Sequence, residues 1–184
     1  MENDQLELLK VVTSFLELHK IPYMITGAWS AIFYGRPRAS HDIDFVVEIE
    51  KKDLEQFLDS FKELSEDFLV QTEMIEEAVD HKSMFNIIHL PSMLKLDFWI
   101  LTADVFDKSR FKRRKRVKIL DQMMDMASAE DTILQKLRWF NEAKIEKHLI
   151  DRAFVYKIKK NNLDFKYLEL WENKLGIKKY YRKL

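Results

Sequence analysis

Residues 24–49, MITGAWSAIFYGRPRASHDIDFVVEI, hold two of the chain's three glycines and continue into two aspartates separated by one apolar residue. The segment PYMIT is predicted to form a short buried strand, and Gly27 marks the turn from this strand into a helix over 28–34. Gly35 ends that helix, and residues 42–49 are predicted to form the next strand. A glycine at such a turn lets backbone N–H groups approach a phosphate at the positive end of the helix.

Acidic residues in two predicted strands indicate a metal site. Residues i and i+2 of a strand point to the same side, so Asp42 and Asp44 place two carboxylates on one face, about 7 Å apart. Two such carboxylates repel, and a hard divalent cation, magnesium or manganese, allows both to stay ionised. Asp97 lies between apolar residues in the segment KLDFWI, where an unpaired charge would be costly. Three carboxylates on adjacent strands predict a two-metal site.

The remaining apolar periodicity predicts an α+β protein. Further helices are predicted over 3–19, 51–64, 72–80, 129–141, 146–159 and 164–175, and hairpins are predicted from FNIIHL with KLDFWI and from VKIL with MMDMA. This order indicates a mixed β-sheet flanked by helices. With 184 residues, we expect one compact unit, in which residues 1–127 form the core with the metal-binding sheet and 128–184 a helical segment packed on it.

Composition excludes several classes of site. The chain has no cysteine, which rules out disulfides, thiolate nucleophiles and cysteine-bound zinc, and agrees with a reducing compartment. The formal net charge is zero, so no overall field favours a nucleic acid or a membrane. No apolar run is long enough to span a bilayer. We therefore expect a cytoplasmic protein without a membrane partner.

The order of these motifs resembles the nucleotidyltransferase superfamily typified by DNA polymerase β. Within it, the chain is similar to the AbiEii-type toxins of bacterial type IV toxin–antitoxin systems, because SAEDTILQKLRWF resembles their sPEDlIlxKL segment, and IDRAFV and LDFKYLELW resemble their C-terminal helices. The resemblance extends from Tyr23 to about Leu175. It implies transfer of a nucleoside monophosphate from a nucleoside triphosphate to an acceptor hydroxyl. The implied acceptor is tRNA, another RNA or a protein side chain, and the implied partner is a cognate antitoxin protein.

The resemblance also assigns residues. Asp42 and Asp44 match the metal-binding aspartates, and Asp97 matches the third carboxylate. Lys136 matches the lysine that faces the triphosphate, and Asp151 matches an aspartate required on the C-terminal helices. These five residues form the implied catalytic set.

The glycine turn departs from the family pattern. The superfamily has Gly-Gly or Gly-Ser where this chain has Gly27 and Ala28, so Ser30 is the candidate to replace the missing hydroxyl at the phosphate. Arg36 and Arg38 either clamp phosphate oxygens or cap the preceding helix. Because of Ala28, we keep as the alternative a catalytically degenerate protein that binds RNA or protein through the same fold.

Two further features have competing interpretations. Residues 108–118, KSRFKRRKRVK, carry eight basic residues in eleven, and they are interpreted either as a basic strand that holds an RNA backbone or as a solvated hairpin. The tail KKYYRKL adds basic charge. All four tryptophans lie on apolar faces of predicted elements, so we expect them to pack in the core.

Overall fold

The computed structural model describes residues 2–61, 64 and 66–181, and within them seven strands form one mixed sheet. The strands are β1 (Tyr23–Ile25), β2 (Asp42–Val47), β3 (Phe68–Leu69), β4 (Met84–His89), β5 (Leu94–Ile100), β6 (Lys115–Ile119) and β7 (Gln122–Met126). The helices are α1 (Glu2–Leu18), α2 (Gly27–Tyr34), α3 (Leu54–Phe61), α4 (Thr72–His81), α5 (Val105–Lys112), α6 (Ala129–Ala143), α7 (Glu146–Lys159), α8 (Phe165–Lys174) and α9 (Lys178–Tyr181). A mixed sheet flanked by helices confirms the predicted class.

The strand order places the two acidic strands side by side. The sheet runs β3-β4-β5-β2-β1-β7-β6, and the central pair, β2 and β5, is parallel. In this register Asp44 lies opposite Asp97, and Asp42 lies opposite Lys95. Each predicted hairpin is present as an antiparallel pair, β4 with β5 and β6 with β7.

Strand alternation separates a hydrophobic face from an acidic one. Phe45, Phe98 and Phe85 occupy equivalent positions on three adjacent strands and stack in a ladder, with ring centroids 5.1 Å and 5.0 Å apart. Phe57 of α3 packs edge-on against this ladder at 6.3 Å. Because neighbouring side chains alternate, the aspartates of β2 and β5 lie on the opposite face. The hydrophobic core therefore fixes the direction in which the carboxylates point.

The C-terminal helices share the same core. Ser128 caps α6 by accepting the Asp131 backbone N–H at 3.1 Å, as its position in the sequence predicted. Helices α6 and α7 pack against each other and against α2. Ile133, Leu137 and Val155 belong to the same cluster of buried residues as the sheet, so burial of α6 and α7 also orders the elements around the acidic strands.

The basic segment 108–118 is not a single strand, so that prediction is wrong. Its first half belongs to α5, whose N-cap Asp104 accepts the Asp107 backbone N–H at 3.0 Å. Only Lys115–Ile119 forms a strand, β6, which lies at the sheet edge with β7, β1 and β2 between it and β5. The N-cap and the burial of Phe106 and Phe111 stabilise a helix here, and this stabilisation outweighs the local charge pattern.

Other boundaries differ from the prediction in smaller ways. The helix predicted over 51–64 begins as a 3-10 turn at Lys51–Asp53 and becomes α3 at Leu54; residues 62 and 63 lie outside the described part of the chain. The end of the basic tail, residues 182–184, also lies outside it. Within the described residues, none of the helices is long and apolar enough to cross a membrane.

Gly27 is required at the β1–α2 turn for two reasons. Its φ is +63°, a left-handed conformation that costs a side chain about 1–2 kcal/mol. In addition, a Cβ built at this position would lie 1.9 Å from Asp44 Oδ2 and 2.5 Å from Asp44 Cγ. The Asp44 carboxylate therefore occupies the space that any side chain at residue 27 would need.

We predict that Gly27→Ala destabilises the protein by clearly more than the 1–2 kcal/mol or so of left-handed strain alone, because Asp44 must also move. Gly176→Ala is the matched control, since its φ is +67° and no heavy atom of the described residues lies within 4 Å of the new Cβ. Urea unfolding of both variants measures the difference. Equal losses would show that Asp44 moves without cost.

Candidate active site

Six of the sequence-predicted site residues line a single cavity on the acidic face. The cavity has a volume of about 330 Å³, and its walls come from β2, β5, α2, α6 and α7. The predicted residues in its lining are Ala28, Arg38, Asp42, Asp44, Asp97 and Lys136. Residues from opposite ends of the chain therefore converge on one site, through the β2–β5 register and the packing of α6 over the sheet.

The three carboxylates have separate hydrogen-bonding partners. The Ser40 hydroxyl donates to Asp42 at 2.7 Å, the Trp99 indole N–H points to Asp44 at 3.5 Å, and the Lys95 ammonium pairs with Asp97 at 3.1 Å. These partners hold each carboxylate to its own position. Within the described residues, no three histidine, aspartate or glutamate side chains lie close enough together to hold a metal ion.

The chemistry of the three carboxylates nevertheless fits a divalent cation. Burial raises the pKa of Asp44, and the charges of Asp42 and Asp97 raise it further. Burial also raises the pKa of Asp97, against the effect of Lys95. Asp97 Oδ1 is buried and accepts no hydrogen bond from any described residue. A magnesium or manganese ion would relieve the repulsion and supply the missing partner. The metal site therefore stays a prediction, and the chemistry of these three residues is suited to it.

Four predicted residues lie outside the cavity lining: Gly27, Ser30, Arg36 and Asp151. The buried Ser30 hydroxyl donates to the Gly27 carbonyl at 3.2 Å, within its own helix. The Arg36 guanidinium lies over the Phe154 ring, 4.2 Å from its centroid. Gly27 itself lies beneath the Asp44 carboxylate, so it contacts the site through that residue.

A buried ion network forms one wall of the site. Asp151 accepts two hydrogen bonds of 2.8 Å from Arg38 and pairs at 2.9 Å with Lys136, which is only 3% exposed. Burial favours a raised pKa for Asp151, but the hydrogen bonds from Arg38 and the charge of Lys136 outweigh it and hold that pKa below its ordinary value. Burial lowers the pKa of Lys136, and the Asp151 charge opposes this. With both basic groups protonated, two cations face one anion, which leaves positive charge beside the carboxylates.

Sequence reasoning missed several lining residues: Trp99, Trp139, Glu142, Lys147 and His148. The prediction that all tryptophans pack in the core is wrong for Trp99, which is 40% exposed, whereas Trp29 and Trp171 are buried. The position of Trp99 in the sequence could have indicated that it faces the site. Trp99 lies two residues after Asp97 in β5, so it shares the acidic face.

The arginines of the basic segment are engaged within the protein. Arg113 lies over the Tyr167 ring, 3.8 Å from its centroid, Arg114 pairs with Asp125 at 3.0 Å, and Arg116 pairs with Glu17 at 2.7 Å. These contacts stabilise the sheet edge and the C-terminal helices. The basic side chains of this segment that are exposed and make no such contact are lysines.

Comparison with known proteins gives a likeness in structure. No family model and no curated protein matches the chain. The solution structure of the antibiotic-resistance factor ANT(2'')-Ia superposes with a TM-score of 0.63 at 12% identity, over 96% of this chain and 93% of that chain. An antigenic nucleotidyltransferase-like protein from Paracoccidioides brasiliensis gives 0.57 at 12% identity, over 96% and 92%. The lincomycin-bound lincosamide antibiotic adenylyltransferase LnuA gives 0.54 at 14% identity, over 82% and 95%.

At these identities the likeness shows the fold alone. It covers nearly all of this chain and nearly all of the first two proteins, so the shared architecture includes the C-terminal helices as well as the sheet. The chain therefore has the nucleotidyltransferase fold.

Proposed function

We propose that the chain is a nucleotidyltransferase, which moves a nucleoside monophosphate from a nucleoside triphosphate to an acceptor hydroxyl and releases pyrophosphate. The observation that carries this proposal is the β2–β5 register, which sets Asp44 opposite Asp97 in a cavity that Asp42 and Lys136 also line. Nearby carboxylates with cations on one side suit the transfer of a phosphoryl group, where positioning and electrostatics supply most of the catalysis.

The carboxylates and the cations have separate roles in this proposal. Asp42, Asp44 and Asp97 would hold magnesium or manganese, which neutralises charge on the phosphoryl group when bound. Lys136 and Arg38 provide positive charge for the leaving phosphates. Asp97 would contribute Oδ1, which accepts no hydrogen bond from a described residue.

Asp151 is a positioning residue in this scheme. It holds the Lys136 ammonium at 2.9 Å and both Arg38 donors at 2.8 Å, but it does not line the cavity. Its charge also allows two cations to be buried together. Without it, both would lose the counter-charge that fixes their direction.

The finer part of the proposal rests on the resemblance of the sequence to AbiEii-type toxins. It states that the acceptor is RNA, such as the tRNA 3′ end, or a protein side chain, and that a cognate antitoxin neutralises the protein. The exposed lysines on α5 and β6 are the residues of the basic segment that are available to an RNA backbone. A small molecule is the competing acceptor, since LnuA with the same fold was solved with lincomycin bound.

We predict that Asp42→Asn and Asp44→Asn each abolish transfer while the melting temperature stays the same or rises. Each substitution removes a carboxylate from a repelling pair and a ligand from the metal site. The assay incubates the protein with magnesium, α-labelled nucleoside triphosphates and total cellular RNA, and follows the label on a gel. Asp53→Asn, at an exposed aspartate before α3, is the matched control. If the two site variants unfold, the aspartates are structural and the site assignment is wrong.

A second prediction separates binding from positioning. Lys136→Met should weaken triphosphate binding at a small cost in stability, because Asp151 keeps both Arg38 hydrogen bonds. Asp151→Asn should cost more, up to about 3–5 kcal/mol, because the buried Lys136 and the partly buried Arg38 lose their counter-charge. Calorimetric titration and urea unfolding measure the two effects, with exposed Lys157→Met on α7 as the control. Normal triphosphate affinity in Lys136→Met would remove that residue from the site.

A third prediction tests RNA as the acceptor. Changing the exposed residues Lys108, Lys112, Lys115 and Lys118 to glutamine should reduce the slope of log affinity against log salt by up to about three units, with similar effects on all RNA sequences. Lys51 and Lys52 to glutamine is the control. RNA binding that keeps its salt slope in the fourfold variant would exclude this surface as the RNA site.

A further inference from the structure

A second cavity adjoins the candidate active site. It has a volume of about 300 Å³ and lies between the end of β5 and the helices α5 and α6. Trp99, Trp139 and Glu142 line both cavities. The two cavities are therefore neighbours on one face of the sheet, with the tryptophans at their junction.

The second cavity contains a buried amide oxygen that no described residue hydrogen-bonds. Gln135 is 7% exposed and lines this cavity, and its Oε1 accepts no hydrogen bond from any residue that the structure describes. A ligand with an N–H group would satisfy this buried acceptor. Gln135 directly precedes Lys136 on α6, and successive helical side chains diverge by about 100°. One helix therefore points a cation into the first cavity and an amide into the second.

The charged side chains that line the second cavity are engaged within the protein, and Lys82 donates to the Ile49 carbonyl at 3.0 Å. Arg110 pairs with Asp107 at 2.9 Å, and Arg138 pairs with Glu142 at 3.3 Å. These four residues line the second cavity. An uncharged polar group consequently suits this cavity better than a phosphate or an ammonium.

Trp99 offers an aromatic face at the junction. Its side chain is 40% exposed, although it lies in a central strand, and its indole N–H points to Asp44 at 3.5 Å. The indole is thus next to the carboxylates where the reacting phosphorus would lie. Exposed aromatic rings in such positions stack on nucleobases and other planar groups.

We propose that the second cavity binds the nucleobase of the donor nucleotide, with Trp99 stacked on the base and the Gln135 amide hydrogen-bonded to its edge. This inference rests on the proposed function. Lys136 and Arg38 line the first cavity and not the second, so a triphosphate whose reacting phosphorus lies at the aspartates can extend its β- and γ-phosphates toward them. The nucleoside is then free to extend toward Trp99. A glutamine amide both donates and accepts, which suits the polar edge of a base.

The test compares ligands with and without a base. The full chain is titrated calorimetrically, in magnesium chloride, with inorganic tripolyphosphate and with ATP, GTP, CTP and UTP. In the unmodified protein, at least one nucleotide should bind more tightly than tripolyphosphate. Gln135→Leu should weaken nucleotide binding by up to about tenfold and reduce the discrimination among the four bases. Trp99→Ala should weaken it by about 5- to 150-fold and by more than it weakens tripolyphosphate binding, whereas tripolyphosphate binding should be unchanged in Gln135→Leu.

Matched controls keep this test decisive. Gln135→Leu replaces an unsatisfied buried amide with an apolar group, so its melting temperature should be unchanged or higher. Gln56→Leu changes an exposed glutamine of α3 that lines a different cavity, and it should leave all affinities unchanged.

The outcomes separate the inference from the proposed function. The inference is overturned if no nucleotide binds more tightly than tripolyphosphate, or if the ratio of the two affinities is the same in both variants as in the unmodified protein. The proposed function is contradicted instead if tripolyphosphate does not bind at all.

Discussion

The parallel pairing of β2 with β5 is the constraint on which the rest of the structure depends. It sets Asp44 opposite Asp97, while the phenylalanine ladder on the other face prevents either strand from shifting by one residue. Hydrophobic burial on one face thus holds like charges together on the other. The carboxylates repel, and Gly27 leaves room for the Asp44 side chain by having none of its own.

The C-terminal helices complete the site because they carry its positive charge. Lys136 on α6 and Asp151 on α7 meet Arg38, which follows α2, in a network buried against the sheet. Such a network contributes little net stability, since desolvation offsets much of the attraction. It does determine where positive charge faces the cavity. A fold with the sheet alone would hold the aspartates but would have few groups to bind the leaving phosphates.

Charge is distributed unevenly along the two cavities. Positive charge lies at the end formed by Arg38 and Lys136, and carboxylates lie in the middle. Around Gln135 the two arginines are paired with acids, and Lys82 donates to the Ile49 carbonyl. This spatial order of surroundings matches a ligand with an anionic end and an uncharged polar ring. Charges are also paired at the β6 edge of the sheet. There the arginines of β6 and of the residues just before it contact acidic side chains and aromatic rings of the chain itself.

The sequence by itself determined the elements and the acidic face, because strand and helix periodicities are local. Several features could be predicted from the sequence alone: the α+β class, the Asp-x-Asp spacing, the glycine turn, Asp97 and the Ser128 cap. Only the tertiary structure decided which residues meet. The Arg38–Asp151 contact joins residues 113 positions apart, and the exposure of Trp99 depends on which helix covers its strand. The basic segment became part helix and part edge strand for the same reason: burial and ion pairing across the fold outweighed its local charge pattern.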